Sequence, residues 1–261
     1  NVSFISIVGN DEASKFAESK LKENNVKAEL IVDITRPTIL KKRYRAKLKT
    51  LLRVSELRQE NISKDLQNVF LKKFRSNLKK IDLIIFSDFN YGCLTDDLIT
   101  EMISLAKKMN IMMVADCQSS SQIGDIGRYK EMELITPTER EARLSLKNTS
   151  DSIFILAEKL SESTYPKHLL LKLGSEGCLV YTNSRKKGDP GNVDRLKSYS
   201  NNVVDEAGAG DSMLVTTALA LACKGSIWES SYLGSIAAGI QINQLGNVPI
   251  TKNQLIEVLQ N

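Results

Sequence analysis

The run Asp205-Glu206-Ala207-Gly208-Ala209-Gly210-Asp211-Ser212 holds residue types from which a phosphate-transfer site can be assembled. It follows a β-like run ending in Asn202-Val203-Val204 and opens a helix-like run over 212–224, rich in Ala and Leu. A strand, a glycine turn and a helix start bring unpaired backbone N–H groups and the positive end of a helix dipole to one place, which suits an anion. Gly208 and Gly210 let the backbone come close to a ligand. Asp211 then stands at the mouth of that turn. A carboxylate gains nothing there from binding a second anion, so the pattern points to a task. That task is taking the proton from a hydroxyl that attacks the phosphorus held by the turn. The same residues also fit a purely structural turn, because Gly-Ala-Gly before a helix is common and Asp is a good N-cap.

The elements that must position this run alternate between strand and helix. Residues 2–8 read as a buried strand, 12–24 as a helix and 26–32 as a strand, so the chain begins β-α-β. Next comes a basic run, Thr35-Arg36-Pro37-Thr38-Ile39-Leu40-Lys41-Lys42-Arg43-Tyr44-Arg45, continuing through Lys47 and Lys49 to Leu51-Leu52-Arg53-Val54. It fits a solvated strand pair, or a nucleic-acid or targeting patch. Its one aromatic, Tyr44, gives little support to single-strand stacking. Residues 62–78 read as a helix, and 82–86 as a buried parallel strand that delivers Ser87-Asp88-Phe89-Asn90-Tyr91-Gly92 to its C-terminal end. Open α/β sheets bind their ligands at that edge. A helix over 95–110 leads to a strand over 111–115 ending in Asp116-Cys117-Gln118, then to a loop at 119–121. A short strand at 134–136 runs into Pro137-Thr138-Glu139-Arg140-Glu141-Ala142, where Thr138 and Glu141 have capping-box spacing. After a helix over 152–163, strands at 167–173 and 177–181 flank the turn Gly174-Ser175-Glu176-Gly177. An exposed loop over 185–192 precedes a return to the sheet at 193–204. A helix over 227–244, with small residues Ser235 to Gly239 for close packing, and a last helix capped by Thr251 complete the chain.

The 261 residues suffice for one large α/β domain. A net charge of +5 suits a small anionic substrate and is too weak to argue for nucleic acid. The four cysteines, Cys93, Cys117, Cys178 and Cys223, have no zinc-site spacing and fit reduced cytoplasmic thiols. The single histidine, His168, excludes a His-rich metal site and precedes an apolar run as a structural residue would. No apolar run approaches the length of a membrane span, and no signal peptide is visible. The chain opens Asn-Val-Ser without an initiator Met, as a processed chain or a piece of a longer one would.

The pattern Asp-x-x-Gly-Ala-Gly-Asp over Asp205 to Asp211 resembles the C-terminal signature of the ribokinase-like, pfkB-type carbohydrate kinases. Further similarities follow in the family's order. Arg36-Pro37-Thr38, Lys41-Lys42-Arg43 and Leu51-Leu52-Arg53-Val54 resemble the heptose-7-phosphate kinase branch, where such strands form a lid over the sugar phosphate. Arginine and lysine suit that task, since arginine can bind phosphate through two parallel bonds. Ser87 to Gly92 is similar to the branch's Ser-Asp-Tyr-x-Lys-Gly, with Tyr91 in place of Lys. Asp116-Cys117-Gln118 stands where the family has Asp-Pro-Lys, and Thr138 replaces the Asn of Pro-Asn-x-x-Glu. The family ordinarily has a segment with a substrate-binding Asp ahead of Val2, which is not found in this sequence.

The resemblance implies an α/β fold, three layers α/β/α with a mostly parallel central sheet and a small β lid. It implies a single kinase domain over 1–261, lid strands at about 27–55, lacking its N-terminal segment. It implies transfer of the γ-phosphoryl group of ATP to a sugar-phosphate hydroxyl, with heptose 7-phosphate at the anomeric position the nearest match. Asp211 would be the base, with Gly208, Ala209 and Gly210 holding the phosphoryl group. ATP would meet Thr138, Glu141, Lys172, Gly174, Glu176, Gly177 and Gly246, and the sugar phosphate would meet Arg36, Lys42, Arg53 and Asp88. Mg2+ would be held through water by Glu141, and a potassium-like cation by Asp205 and the Ala207 carbonyl. A cytoplasmic enzyme of cell-surface sugar biosynthesis is implied, with a homodimer through the lid, a nucleotidyltransferase domain or partner, and no nucleic acid or membrane. A different class stays open: a non-catalytic sugar-phosphate or nucleotide-binding module, or a regulatory fragment of a larger bifunctional enzyme.

Overall fold

The computed structural model describes residues 1–46, 49–119, 122–183, 191–199 and 203–260. Its contacts divide the chain into two compact units, Asn1–Ile81 with Asn90–Asn110, and Asp82–Phe89 with Ile111–Asn261.

In the first unit, β1 (Val2–Val8) and β2 (Val26–Val32) pair in parallel, joined by α1 (Glu12–Glu23). Asp11 starts that helix: its Oδ1 accepts the Ser14 N–H at 2.9 Å, and its Oδ2 accepts the Thr38 N–H at 2.7 Å. The antiparallel pair begins only at Leu40, with β3 (Leu40–Ala46) and β4 (Lys49–Glu56). The start of the expected lid range therefore belongs to the parallel pair, where Ile31 is buried. In α2 (Lys64–Asn77) the buried residues Gln67, Phe70, Leu71 and Phe74 recur at helical spacing. The same holds for Leu98, Ile99, Met102, Ile103 and Ala106 of α3 (Asp96–Lys108). Ser63 and Thr95 cap these two helices through their side chains.

The second unit is built on a six-stranded sheet in the order β10-β9-β8-β7-β6-β5. Strands β5 (Leu83–Asp88), β6 (Met112–Cys117), β7 (Leu134–Ile135) and β8 (His168–Lys172) run parallel. Strands β9 (Cys178–Thr182) and β10 (Asn192–Leu196) turn back antiparallel. The parallel strands are apolar on both faces because helices cover both. On one side α4 (Glu139–Leu146) and α5 (Ile153–Thr164) pack near β8. Val114, Leu134, Leu170, Cys178 and Val180 pack instead with Met213, Leu214, Ala218 and Leu221 of α6 (Ala209–Ala222) and Ile227 of α7 (Ile227–Ile242). Burying each such leucine contributes about 1.5–3 kcal/mol, which anchors the helix that carries Asp211. The last helix, α8 (Lys252–Gln260), packs on α7. His168 is buried in β8 with its Nδ1 2.6 Å from the Thr182 hydroxyl, a structural placement.

One expectation fails beside the motif. Strand β10 ends at Leu196, and among the described residues between it and the glycine turn none is in a strand. Residues 200–202, and 184–190 with most of the expected loop at 185–192, lie outside the described residues, as do Ser120 and Ser121. The N–H groups of Val204 and Asp205 donate to the Ile242 carbonyl at 2.8 and 3.1 Å. That carbonyl closes α7 and has no partner of its own within the helix, so the chain is drawn to the helix end rather than to a sheet edge.

Candidate active site

Helix α6 begins at Ala209, earlier than the expected Ser212, and Gly208 is its N-cap. Gly208 has φ +83°, a conformation that favours glycine, and a Cβ there would lie 2.1 Å from Asn247 Oδ1, so the Asn247 side chain would have to move as well. Asp211 is consequently in the first turn of the helix and is not the cap. Among the described residues the amides of Gly208 and Gly210 have no acceptor, which leaves two donors at the positive end of the helix.

The turn is held from below by a reciprocal clamp. Asp205 accepts the Ala207 N–H through Oδ1 at 3.2 Å and the Gly246 N–H through Oδ2 at 3.1 Å. Gln241, buried near the end of α7, donates its Nε2 to the carbonyls of Ala207 and Gly246 at 3.2 and 3.0 Å. The loop after α7 and the turn before α6 are thus tied to each other by side chains at both donors and acceptors.

Asp211 is half-buried, and Gln118 Nε2 donates to its Oδ1 at 3.1 Å. Beside the turn, a Cβ on Gly210 would lie 3.2 Å from Lys172 Nζ. That ammonium sits 3.0 and 3.1 Å from the two carboxylate oxygens of Asp116, and Thr136 Oγ1 donates to Asp116 Oδ1 at 3.2 Å. Asp116 is only 1 % exposed. Loss of water raises its pKa above the ordinary value; Lys172 opposes this and the charges of Glu141 and Asp211 add to it. Glu141 is buried as well, its Oε1 accepting the Ser119 N–H at 2.9 Å and its Oε2 the Thr138 N–H at 2.8 Å. A carboxylate base, two open amides and a lysine ammonium therefore share one place. They can hold an anion and take a proton beside it.

These groups reach one place because β6, β7 and β8 end together. Asp116 and Gln118 stand at the end of β6, Thr136 and Thr138 beyond β7, and Lys172 ends β8. Of the residues expected to bind nucleotide, Thr138, Glu141 and Lys172 belong to this group. Gly174 and Gly246 border open space. Gly177 directly precedes β9, where a Cβ would lie 2.0 Å from the Leu196 carbonyl oxygen, a packing demand of the neighbouring strand. Glu176 is exposed and paired with Arg195 at 2.9 Å.

The residues expected to meet the sugar phosphate fall in different settings. Asp88 is 4 % exposed, and its Oδ2 accepts the Tyr129 hydroxyl at 2.8 Å and Arg128 Nη1 at 3.2 Å, so it braces the sheet end. In the first unit Arg36 is buried. Its Nε bonds Asp33 Oδ2 at 2.8 Å, its Nη1 the Tyr91 carbonyl at 3.3 Å and its Nη2 the Glu60 carbonyl at 2.9 Å. Its charge is spent on joining three backbone segments. Lys42 and Arg53 are exposed but fall on opposite faces of the hairpin, because Lys42 pairs with Val54 and Arg53 with Arg43. One face carries Lys41, Arg43 and Arg53; the other carries Lys42, Tyr44, Leu52 and Val54. Lys41 Nζ also lies over the Tyr91 ring, 5.0 Å from its centre.

Asp116, Gln118, Gln241 and Asn247 enter the site without having been assigned a role from sequence. The first two could have been found from their place after a buried parallel strand. Nothing in the sequence pattern marks Gln241, which reads as one more residue of an apolar helix.

The pfkB family carbohydrate kinase model matches residues 1–252. The chain belongs to that family. The Bifunctional protein HldE of Haemophilus influenzae is 29% identical over 261 residues, covering 98% of this chain and 51% of the relative. The chain spans about half the length of the curated relatives it matches. Phosphofructokinase-2 from Escherichia coli, solved in complex with potassium, shares the fold with a TM-score of 0.77 at 17% identity, covering 99% of this chain and 81% of that one. Ribokinase from Giardia lamblia gives the same TM-score of 0.77 at 21% identity, covering 99% and 82%. The architecture is ribokinase-like, as the sequence resemblance implies.

Proposed function

We propose that this chain transfers the γ-phosphoryl group of ATP to a hydroxyl of a sugar phosphate, with heptose 7-phosphate at its anomeric position as the favoured substrate. The observation that carries the reading is the half-buried Asp211 carboxylate beside the open amides of Gly208 and Gly210 and the Lys172 ammonium. The similarity to HldE and the run from Thr35 to Val54 support the choice of sugar.

In this reading the two amides and Lys172 receive the transferring group, whose charge spreads over its outer oxygens. Asp211 takes the proton from the incoming hydroxyl while Gln118 fixes one of its oxygens. Thr138, Glu141, Gly174 and Gly246 stand by for the nucleotide, and Ala209 completes the turn. Among the described residues no three Asp, Glu, His or Cys side chains are grouped to hold a metal alone. That suits Mg2+, which keeps its waters and leans on substrate phosphates plus one or two carboxylates. Glu141 and Asp116 would hold it through water, since each oxygen of Glu141 keeps a lone pair beyond its bond to the backbone. Bound there, the ion would supply charge neutralisation. A potassium-like cation at Asp205 and Ala207 fits poorly, because the Gln241 side-chain nitrogen, 3.2 Å from the Ala207 carbonyl and 3.0 Å from that of Gly246, stands where an ion shared by those oxygens would sit.

The sugar phosphate is assigned to Arg43 and Arg53, with Lys41 beside them. Like charges directly opposite on paired strands are unfavourable unless an anion joins them. The other hairpin face, with Tyr44, Leu52 and Val54 exposed, is the surface on which a second copy would pack. A nucleotidyltransferase domain or partner would complete the bifunctional arrangement named in the relatives. Among the described residues no helix is long and apolar enough to cross a membrane, and the cytoplasm is the expected place of action.

The test is ATP consumption with a panel of sugar phosphates, in wild type and Asp211→Asn. Turnover with a heptose 7-phosphate that the variant lacks is expected. Tight binding of ATP and sugar phosphate without turnover would favour the non-catalytic binding module instead.

A further inference from the structure

Gln241 is 1 % exposed and presents a side-chain NH2 group, which has two donors, to two main-chain carbonyls. Those carbonyls belong to Ala207 in the turn before α6 and Gly246 in the loop after α7. Asp205 answers from the same place by accepting the amides of Ala207 and Gly246. Two carbonyl oxygens and a carboxylate converging on one spot are the ligand set a monovalent cation would use. Here an amide stands among them. We propose that the Gln241 side chain takes the place of a monovalent cation, so that the anion-binding turn holds its shape without potassium.

The physical case has three parts. Both Gln241 donors are used, so the carbonyls are satisfied by a neutral group that is always present at fixed concentration. The Gln241 nitrogen stands between the Ala207 and Gly246 oxygens, so an ion seated between the same two oxygens must displace a buried amide, which would then lose its partners at a cost of about 1–3 kcal/mol. The carboxylate of Asp205 gives its oxygens to backbone N–H groups, and these also stabilise its charge. Gln241 thus acts as a positioning residue for Gly208 and Gly210, through its bond to the Ala207 carbonyl.

The inference bears on the kinase reading through the shape of the turn, and its test does not require turnover. The thermal midpoint of the whole chain is measured in potassium chloride and in tetramethylammonium chloride at equal ionic strength, for wild type and for Gln241→Ala. Wild type is expected to melt at the same temperature in both salts. The variant, with its carbonyls released, is expected to melt lower in tetramethylammonium and to recover in potassium. Where turnover is present, its ratio between the two salts is expected to stay within about twofold for wild type and to exceed about tenfold for the variant. A saturable rise of the wild-type midpoint with potassium overturns the proposal. So does a variant that potassium leaves unstable. If Gln241→Ala cannot be purified, Gln241→Glu keeps the volume, offers acceptors only, and must show the same dependence on potassium. A chain that turns over no sugar phosphate at all would defeat the kinase reading and leave these melting outcomes as decisive as before.

Discussion

The turn of the second unit and the hairpin of the first use polar residues in opposite ways. Around the turn, Asp205, Gln241 and Asp116 are all engaged by neighbours, and what stays open is two backbone amides. On the hairpin, Arg43 and Arg53 face each other exposed and, among the described residues, have no hydrogen-bond or ion-pair partner. One region fixes its side chains to aim its main chain; the other leaves its side chains available. Arg36 sharpens the contrast, because it lies in the same basic run as Arg43 yet is sealed inside. Residue type alone does not separate a ligand from a brace; burial and the count of satisfied donors do.

The contrast breaks most visibly at Asp211. Asp211→Asn keeps the shape and loses the proton acceptor, so kcat is expected to fall about 10³-fold with ATP affinity kept. Steady-state rates with nucleotide binding measured separately check both halves. Unchanged turnover would remove Asp211 from the mechanism and reduce the turn to a structural feature.

Next in size is Arg36→Ala. It leaves the buried Asp33 carboxylate with only its bonds from Thr35 and takes a donor from the carbonyls of Tyr91 and Glu60, so a loss of about 3 kcal/mol in stability is expected. Urea unfolding measures it. A normal midpoint with a raised KM for the sugar phosphate would return Arg36 to the substrate.

Arg36 also marks how far the sequence could be read. Its strands and helices were legible because apolar runs such as Leu83–Asp88 and periodic stripes such as that of α3 report burial directly. The turn was legible because Gly208, Gly210 and Asp211 stand together before an apolar helix-like run, in the order of the family's signature. Hydrogen-bond partners were not, because they depend on residues far apart in the chain: Gln241 and Ala207, Gln118 and Asp211, Arg36 and Tyr91. The face on which Lys42 and Arg53 fall also escaped, since it needs the register of β3 against β4, and one residue of slip exchanges the faces.

Single replacements Arg43→Ala and Arg53→Ala come third. Each is expected to raise KM for the sugar phosphate about tenfold, near 1.4 kcal/mol, with kcat and melting temperature little changed. Lys42→Ala, on the other face, is expected to do neither. A larger effect from Lys42 than from Arg43 would exchange the roles of the two hairpin faces.

The smallest effect concerns acid, and there the two units respond with opposite sign. In the first unit, hydrogen bonds from Lys27 and Lys73 hold the Glu29 carboxyl at about 2, below its ordinary 4.5. Its contribution is complete above 4.5 and is lost as pH falls toward about 2. The lysines are 62% and 34% exposed, so water screens the pair and about 1 kcal/mol is a fair size. In the second unit burial raises Asp116, so the folded state there takes up a proton more readily than the unfolded chain. Its charged form costs stability above that raised value, and the cost is relieved as pH falls through it. Hydrogen exchange of β2 amides in wild type and Glu29→Gln, and of β6 amides in wild type and Asp116→Asn, separates the two contributions. Acid should open β2 more in wild type than in Glu29→Gln, whereas Asp116→Asn should remove a protection that β6 gains. If neither substitution alters the acid response of its own strand, the charges at these two positions do not set it, and the opposition between the units is lost.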